Sequence, residues 1–259
     1  MKLYTYETGS KMQPAIVFLH GSPLSGRMWQ PQWERLTDFH CLAPDLPEHG
    51  RSARIGPFAM DDAVRRLADL IRSAAPNGKA HVVGLSFGGV VAQALLSQMP
   101  EVVDRVILSG TAGRMNQALL ALLKFQLVVN RPLLKRLAPD KVAALMCRQF
   151  GIPPQYIPTL GADIQRVPAD AMLRFILASY ADIQTPTQTQ SPVLVVVGQK
   201  ETPVAKVLAR RLARAIPGAQ GRSVPGLGHV WNLQAPELFA ATVRAWVTDN
   251  PLPEKLAPL

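Results

Sequence analysis

Residues Ala80–Gln98 read AHVVGLSFGGVVAQALLSQ, and the fold is decided by how this stretch is parsed. Ala80–Gly84 is a short, unbroken apolar run, as expected of a strand covered on both faces. Gly88–Gln98 carries apolar residues with no strand alternation and reads as a helix. Between them lie Gly84-Leu85-Ser86-Phe87-Gly88, then Gly89. A serine on so sharp a strand-to-helix turn projects its hydroxyl away from the sheet, and the flanking glycines fit because a Cβ there would clash. The Gly-x-Ser-x-Gly spacing alone would turn up by chance in about one chain in ten of this length at average composition. Its position between a strand and a helix gives it weight.

Working outward, the same rhythm recurs. Apolar runs at Ala15–Leu19, Cys41–Ala43, Val103–Leu108 and Val193–Val197 alternate with helical patterns at Asp61–Ala75, Pro203–Ile216 and Pro236–Asp249. Such alternation predicts a mostly parallel, doubly wound α/β sheet flanked by helices, and Lys2–Thr8 predicts an antiparallel edge strand. The rhythm breaks over 114–185, where helical patterns stand without a convincing strand: Asn116–Asn130, Leu133–Cys147 interrupted at Pro139, and Pro168–Tyr180. This divides the chain into a core of residues 1–113 and 186–259 and a helical cap of residues 114–185. The tail PLPEKLAPL is expected to be loose.

Composition narrows the class. The 259 residues are 48% hydrophobic and 18% charged, enough for a large core and incompatible with intrinsic disorder. Two cysteines, Cys41 and Cys147, cannot staple a chain this long. No apolar run reaches the roughly 18–20 residues of a membrane span. With no apolar leader at MKLYTYETG, the expectation is a soluble cytoplasmic protein.

Four further elements carry chemistry. His20-Gly21-Ser22-Pro23 follows an early strand, and the Ser22 N–H, with the N–H of Phe87 after the serine, can aim at a developing oxyanion. Gly21–Arg27 lacks the Lys-Ser/Thr of a phosphate loop, which removes a nucleotide reading. Of five histidines, His229 lies in the Gly-rich Pro225-Gly226-Leu227-Gly228-His229 before the last helix, where a general base can reach Ser86. His20 reads as locally hydrogen-bonded and His81 as buried structure. Glu201 is the only carboxylate in Gly198-Gln199-Lys200-Glu201-Thr202-Pro203 after the strand Val193–Val197, and Ser109-Gly110-Thr111-Ala112 offers no rival. The order Ser86, Glu201, His229 is nucleophile, acid, base.

Over nearly its whole length the chain resembles the α/β-hydrolase superfamily. The resemblance rests on His20-Gly21-Ser22-Pro23, Asp45-Leu46-Pro47 with His49-Gly50-Arg51-Ser52, Gly84–Gly89, the Gly198–Glu201 loop and Gly226–His229. It implies an α/β-hydrolase fold with the cap inserted after the sixth strand. It also implies a serine hydrolase similar to small capped carboxylesterases, lactonases and C–C bond hydrolases, working through an acyl-enzyme on Ser86. No metal or organic cofactor is implied, and the sequence holds no Zn-type spacing and no Gly-x-Gly-x-x-Gly. The acid is Glu201 rather than the commoner Asp, and Glu48 replaces a frequent Gly on what reads as a surface turn. A serine nucleophile separates the chain from the superfamily's epoxide hydrolases and dehalogenases. A non-catalytic ligand receptor on the same fold is disfavoured, because nucleophile, base, acid and oxyanion loop are all present.

The net charge is +10. Arg114–Tyr180 holds nine positive and three negative side chains, a net +6. This is either a solvated face that keeps the protein soluble or a rim that attracts an anionic substrate, an acidic carrier or a lipid surface. No motif accompanies the charge that would indicate nucleic acid. The partner read from the chain is a small-molecule ester or related acyl compound, with no stable membrane insertion.

Overall fold

A computed structural model of the 259-residue chain describes residues 1–114, 120–122, 125, 129, 137–168, 171 and 183–259. Eight strands form one sheet: β1 (Thr5–Thr8), β2 (Ala15–Leu19), β3 (His40–Pro44), β4 (Ala80–Leu85), β5 (Val103–Ser109), β6 (Val193–Gly198), β7 (Gln220–Val224) and β8 (Ala257–Pro258). Their order is β1-β3-β2-β4-β5-β6-β7-β8. All pairings from β3 to β7 are parallel, while β1 and β8 run antiparallel at the edges.

The described helices are α1 (Gln30–Trp33), α2 (Met60–Ala74), α3 (Phe87–Gln98), α4 (Pro139–Phe150), α5 (Ile157–Arg166), α6 (Pro203–Ala215), α7 (Trp231–Gln234) and α8 (Pro236–Val247). Alternate strand residues serve two cores. Val17 and Leu19 of β2 pack with Leu67 of α2, Leu95 of α3 and Leu212 of α6. Ile16 and Phe18 pack with Trp29, Trp231 and Phe239 of α8. Double coverage explains why the strand runs are apolar without alternation: each side chain leaves water on one face or the other, at about 1.5–3 kcal/mol per large apolar side chain.

Two readings of the sequence change here. Five strands precede the segment between β5 and β6, so the insertion follows the fifth strand rather than a sixth, because the N-terminal residues form a single edge strand. The tail is not loose: Ala257–Pro258 pairs with β7, Leu256 is buried and Leu259 packs on the core. The break expected at Pro139 is the start of α4, with the proline in the first-turn position where a missing N–H costs nothing. β7 and α5 carried no clear signal, β7 because QGRSV is polar beside a sheet edge and α5 because it contains Pro158 and Gly161. Most of the expected helices Asn116–Asn130 and Pro168–Tyr180, and residues 133–136, lie outside the described residues.

The segment between β5 and β6 is anchored to the rest of the chain by its described helices. Asp163 of α5 accepts hydrogen bonds from the Ser25 N–H at 3.0 Å and the Ser25 hydroxyl at 2.8 Å. Among the described residues no helix is long and apolar enough to cross a membrane. Cys41 and Cys147 are free and buried.

Candidate active site

Ser86 stands between β4 and α3 with φ 54° and ψ −115°, a left-handed conformation that costs a non-glycine residue about 1–3 kcal/mol. The turn is held from both sides. Ser86 N–H donates to the Ser109 carbonyl at 2.9 Å, and the Ser86 carbonyl accepts from Gly89 and Val90 at 3.0 and 3.2 Å to start α3. A Cβ on Gly88 would stand 2.1 Å from the Leu19 carbonyl oxygen, and one on Gly84 2.5 Å from that of Gly88. The helix start lies directly on the end of β2, which only glycine allows.

His229 and Glu201 arrive on the loops after β7 and β6. His229 Nδ1 lies 2.8 Å from Glu201 Oε2, while Glu201 Oε1 accepts the Gly198 N–H at 3.1 Å. The glutamate side chain is only 7% exposed and the histidine 22%. An ionised carboxylate can only accept, so the ring proton sits on Nδ1 and Nε2 keeps its lone pair. Gly110, just past β5, meets the pair: a Cβ there would be 2.8 Å from His229 Nδ1 and 3.4 Å from Glu201 Oε1. The Ser86 N–H bonds to Ser109, the residue before Gly110, so Ser86, His229 and Glu201 gather around the ends of β4, β5 and β6. No hydrogen bond joins the Ser86 hydroxyl to His229 among the described residues; such bonds are often long before substrate is bound.

The β2 loop flanks the serine. A Cβ on Gly21 would be 3.5 Å from Ser86 Cβ, which places Ser22 beside the elbow. Phe87, the residue after Ser86, is the first residue of α3. Behind them lies a pair of histidines, of which His49 has no role in the site on the sequence reading beyond its place in His49-Gly50-Arg51-Ser52. The ring of His49 stacks on Phe87 at 5.5 Å and meets His20 at 4.9 Å. His20 Nε2 accepts the Leu46 N–H at 3.0 Å and Nδ1–H donates to the Gly21 carbonyl at 3.1 Å, the local satisfaction expected for it. His49 Nδ1–H donates to Pro47, leaving Nε2 to accept from the Ser22 hydroxyl at 3.2 Å. Burial pushes the His20 imidazole well below its usual value and that of His49 down to about 4, so both stay neutral near pH 7. Among the described residues no three His, Cys, Asp or Glu side chains converge as metal ligands would.

Glu48 departs from its expectation. It is buried rather than on a surface turn, has φ 63°, and its Oε2 accepts the Phe58 N–H at 2.9 Å. The side chain closes the loop after β3 from inside, where a glycine could supply the φ but not the acceptor.

Comparison with known proteins agrees with this architecture. The family model described as the alpha/beta hydrolase family matches residues 16–242.

The chain belongs to the alpha/beta hydrolase family.

An AB hydrolase superfamily protein of Gibberella zeae is 33% identical over 257 residues, covering 96% of this chain and 85% of that protein. Among solved structures, a thermophilic esterase from Thermogutta terrifontis, malate bound, superposes with a TM-score of 0.79 at 27% identity, covering 95% of this chain and 93% of that one. A pimeloyl-[acyl-carrier protein] methyl ester esterase of Pectobacterium carotovorum is 36% identical over 93 residues, 36% of this chain and 34% of that enzyme. This hydrolase is therefore similar to the first two over most of its length and to the third over about a third.

A cavity of about 620 Å³ opens against the His229–Glu201 pair. Phe150, Leu227, Arg148 and Lys200 line it, the two cations from α4 and from the acid loop. Neither cation has an ion-pair partner among the described residues.

Proposed function

We propose that this hydrolase cleaves carboxylic ester bonds of small to medium acyl substrates, with Ser86 as nucleophile, His229 as general base and Glu201 as the acid that orients it. The 2.8 Å His229–Glu201 contact carries the reading, because it fixes the tautomer that leaves Nε2 able to take a proton. Nε2 accepts the Ser86 proton as Oγ bonds to the ester carbonyl carbon. The N–H groups of Ser22 and Phe87 receive the oxyanion. His229 then gives its proton to the departing alkoxide as the C–O bond breaks. Water, deprotonated by His229, attacks the acyl-enzyme, and the proton returns to Ser86 as the carboxylic acid leaves. Every step uses groups of this chain, so the mechanism calls for no cofactor.

Residues 114–185 are read as a cap over this site, with residues 1–113 and 186–259 as the core. The Asp163–Ser25 hydrogen bonds and the Phe150 ring, 5.5 Å from that of His229, support that division. Arg148 and Lys200, which line the cavity beside His229 and have no ion-pair partner among the described residues, favour esters that also carry a carboxylate. Malate on one similar esterase fits that preference. The two free, buried thiols fit a reducing compartment, and we propose a cytoplasmic location.

A fluorophosphonate probe tests the reading by labelling wild type and not Ser86→Ala. A p-nitrophenyl ester series from acetate to laurate then measures the acyl pocket. Undiminished ester turnover in Ser86→Ala refutes the mechanism. A far higher kcat/KM on lactones or C–C-linked diketones would keep Ser86 and change the substrate.

A further inference from the structure

The catalytic base is fixed to the acid by one hydrogen bond, but its loop must be held as well. On one side the acid loop holds it: Lys200 N–H donates to the Leu227 carbonyl at 2.8 Å and Gly226 N–H to Gln199 Oε1 at 2.9 Å. On the other side stands Gln234, the last residue of α7. Its Oε1 accepts the N–H of Gly228, the residue before His229, at 2.9 Å. Its Nε2 donates to the carbonyl of Phe150, the last residue of α4. That carbonyl is among those a helix C-terminus leaves without an intrahelical partner. The Phe150 ring faces the His229 ring at 5.5 Å. A Cβ on Gly228 would be 3.4 Å from Gln234 Nε2 and 3.7 Å from the Phe150 carbonyl oxygen, so loop, amide and helix end are in mutual contact.

We propose that Gln234 is a positioning residue that ties the docking of α4 to the placement of His229. The chemistry asks for a carboxamide. Gly228 N–H can only donate and the Phe150 carbonyl can only accept, so the side chain must offer an acceptor and a donor on one short planar group. A glutamate keeps the acceptor but sets a carboxylate oxygen against the Phe150 carbonyl, and a leucine offers neither. When α4 is seated, the amide is held at both ends and the base loop is fixed. When α4 lifts, the loop keeps its contacts with the acid loop and loses this one. Occupancy of the segment over the site is thereby read by the base without any group touching substrate.

The inference rests on His229 acting as the base, and the experiment separates the two. Wild type, Gln234→Glu and Gln234→Leu are compared for kcat and KM on p-nitrophenyl acetate, for fluorophosphonate labelling rate, for thermal midpoint, and for amide hydrogen exchange in peptides covering residues 147–153 and 225–230. Gln234→Leu is expected to lower kcat and labelling rate about 10- to 100-fold, the scale of a displaced catalytic group, with KM little changed and faster exchange in both peptides. Gln234→Glu is expected to lose less, with faster exchange mainly in 147–153, and it serves alone if the leucine variant does not fold. A folded leucine variant with wild-type kcat, or one whose lower activity follows only a lower midpoint, overturns the proposal. If wild type neither turns over the ester nor labels, the reading of the site has failed instead. The paired exchange response then decides whether Gln234 couples the two segments: its absence overturns the proposal on its own.

Discussion

Asp163 offers the sharpest test of the energetics, because it is a buried carboxylate whose hydrogen-bond donors, the N–H and hydroxyl of Ser25, are neutral. Burial is the main reason its carboxyl is pushed up from 3.8 to about 6; the Ser25 hydroxyl pulls it down, and Asp45 pushes it up again. A rise of about two pK units corresponds to about 3 kcal/mol of penalty on the ionised native form. The sign follows from linkage. The folded state binds this proton more tightly than the unfolded state, so the penalty is absent below about pH 4, grows between pH 4 and 6, and is complete above 6. Asparagine imitates the neutral acid: its oxygen can accept from both Ser25 groups, while its extra N–H pair needs a partner or costs about 1–3 kcal/mol. Asp163→Asn is therefore expected to leave stability near wild type at pH 4 and to gain up to about 2–3 kcal/mol at pH 8, or roughly 5–10 °C in Tm. Urea denaturation from pH 4 to 8 reads this directly. A variant less stable than wild type at pH 8, or a stability difference flat across that range, would refute the argument that desolvation governs this carboxylate.

Other outcomes follow from the site. Glu201→Gln can turn an N–H toward His229 Nδ1 and favour the wrong tautomer, so kcat should fall about 10³- to 10⁴-fold with KM little changed; a loss under tenfold in steady-state assays would contradict the orienting role. Gly88→Ala places a Cβ against the Leu19 carbonyl, and soluble, stable protein with normal activity would show that the elbow is not as tight as drawn. His49 is neutral above about pH 4, so His49→Gln should leave the acid limb of the kcat/KM profile where it is, and a displaced limb in a pH–rate series would reassign it. Arg148→Ala with Lys200→Ala should raise KM for esters carrying a carboxylate and leave neutral esters of equal size unaffected, as paired Michaelis curves would reveal.

Several parts of this protein were legible from residues alone because their causes are local. The elbow announces itself through glycines that a tight crossing demands. The strands of the two-sided sheet appear as unbroken apolar runs since both of their faces are covered. Glu201 and His229 stand on loops that follow particular strands, and chain order was enough to nominate them as the proposed acid and base. What escaped has a common physical reason: it depends on partners far away in the chain. β7 is polar and exists because β6 and β8 pair with it. Even over ten residues, Glu48 looks like a surface residue until the folded loop brings the Phe58 N–H to it. Asp163 finds Ser25 across 138 residues, and Gln234 finds Phe150 across 84. Hydrogen bonds between such distant segments leave no periodicity or spacing behind. The sequence by itself determined the strands, the elbow and the candidates for the chemistry, through steric and hydrophobic demands felt within a few positions. Only the tertiary structure decided what holds them in place, because a buried donor or acceptor takes whichever partner the packed chain brings to it.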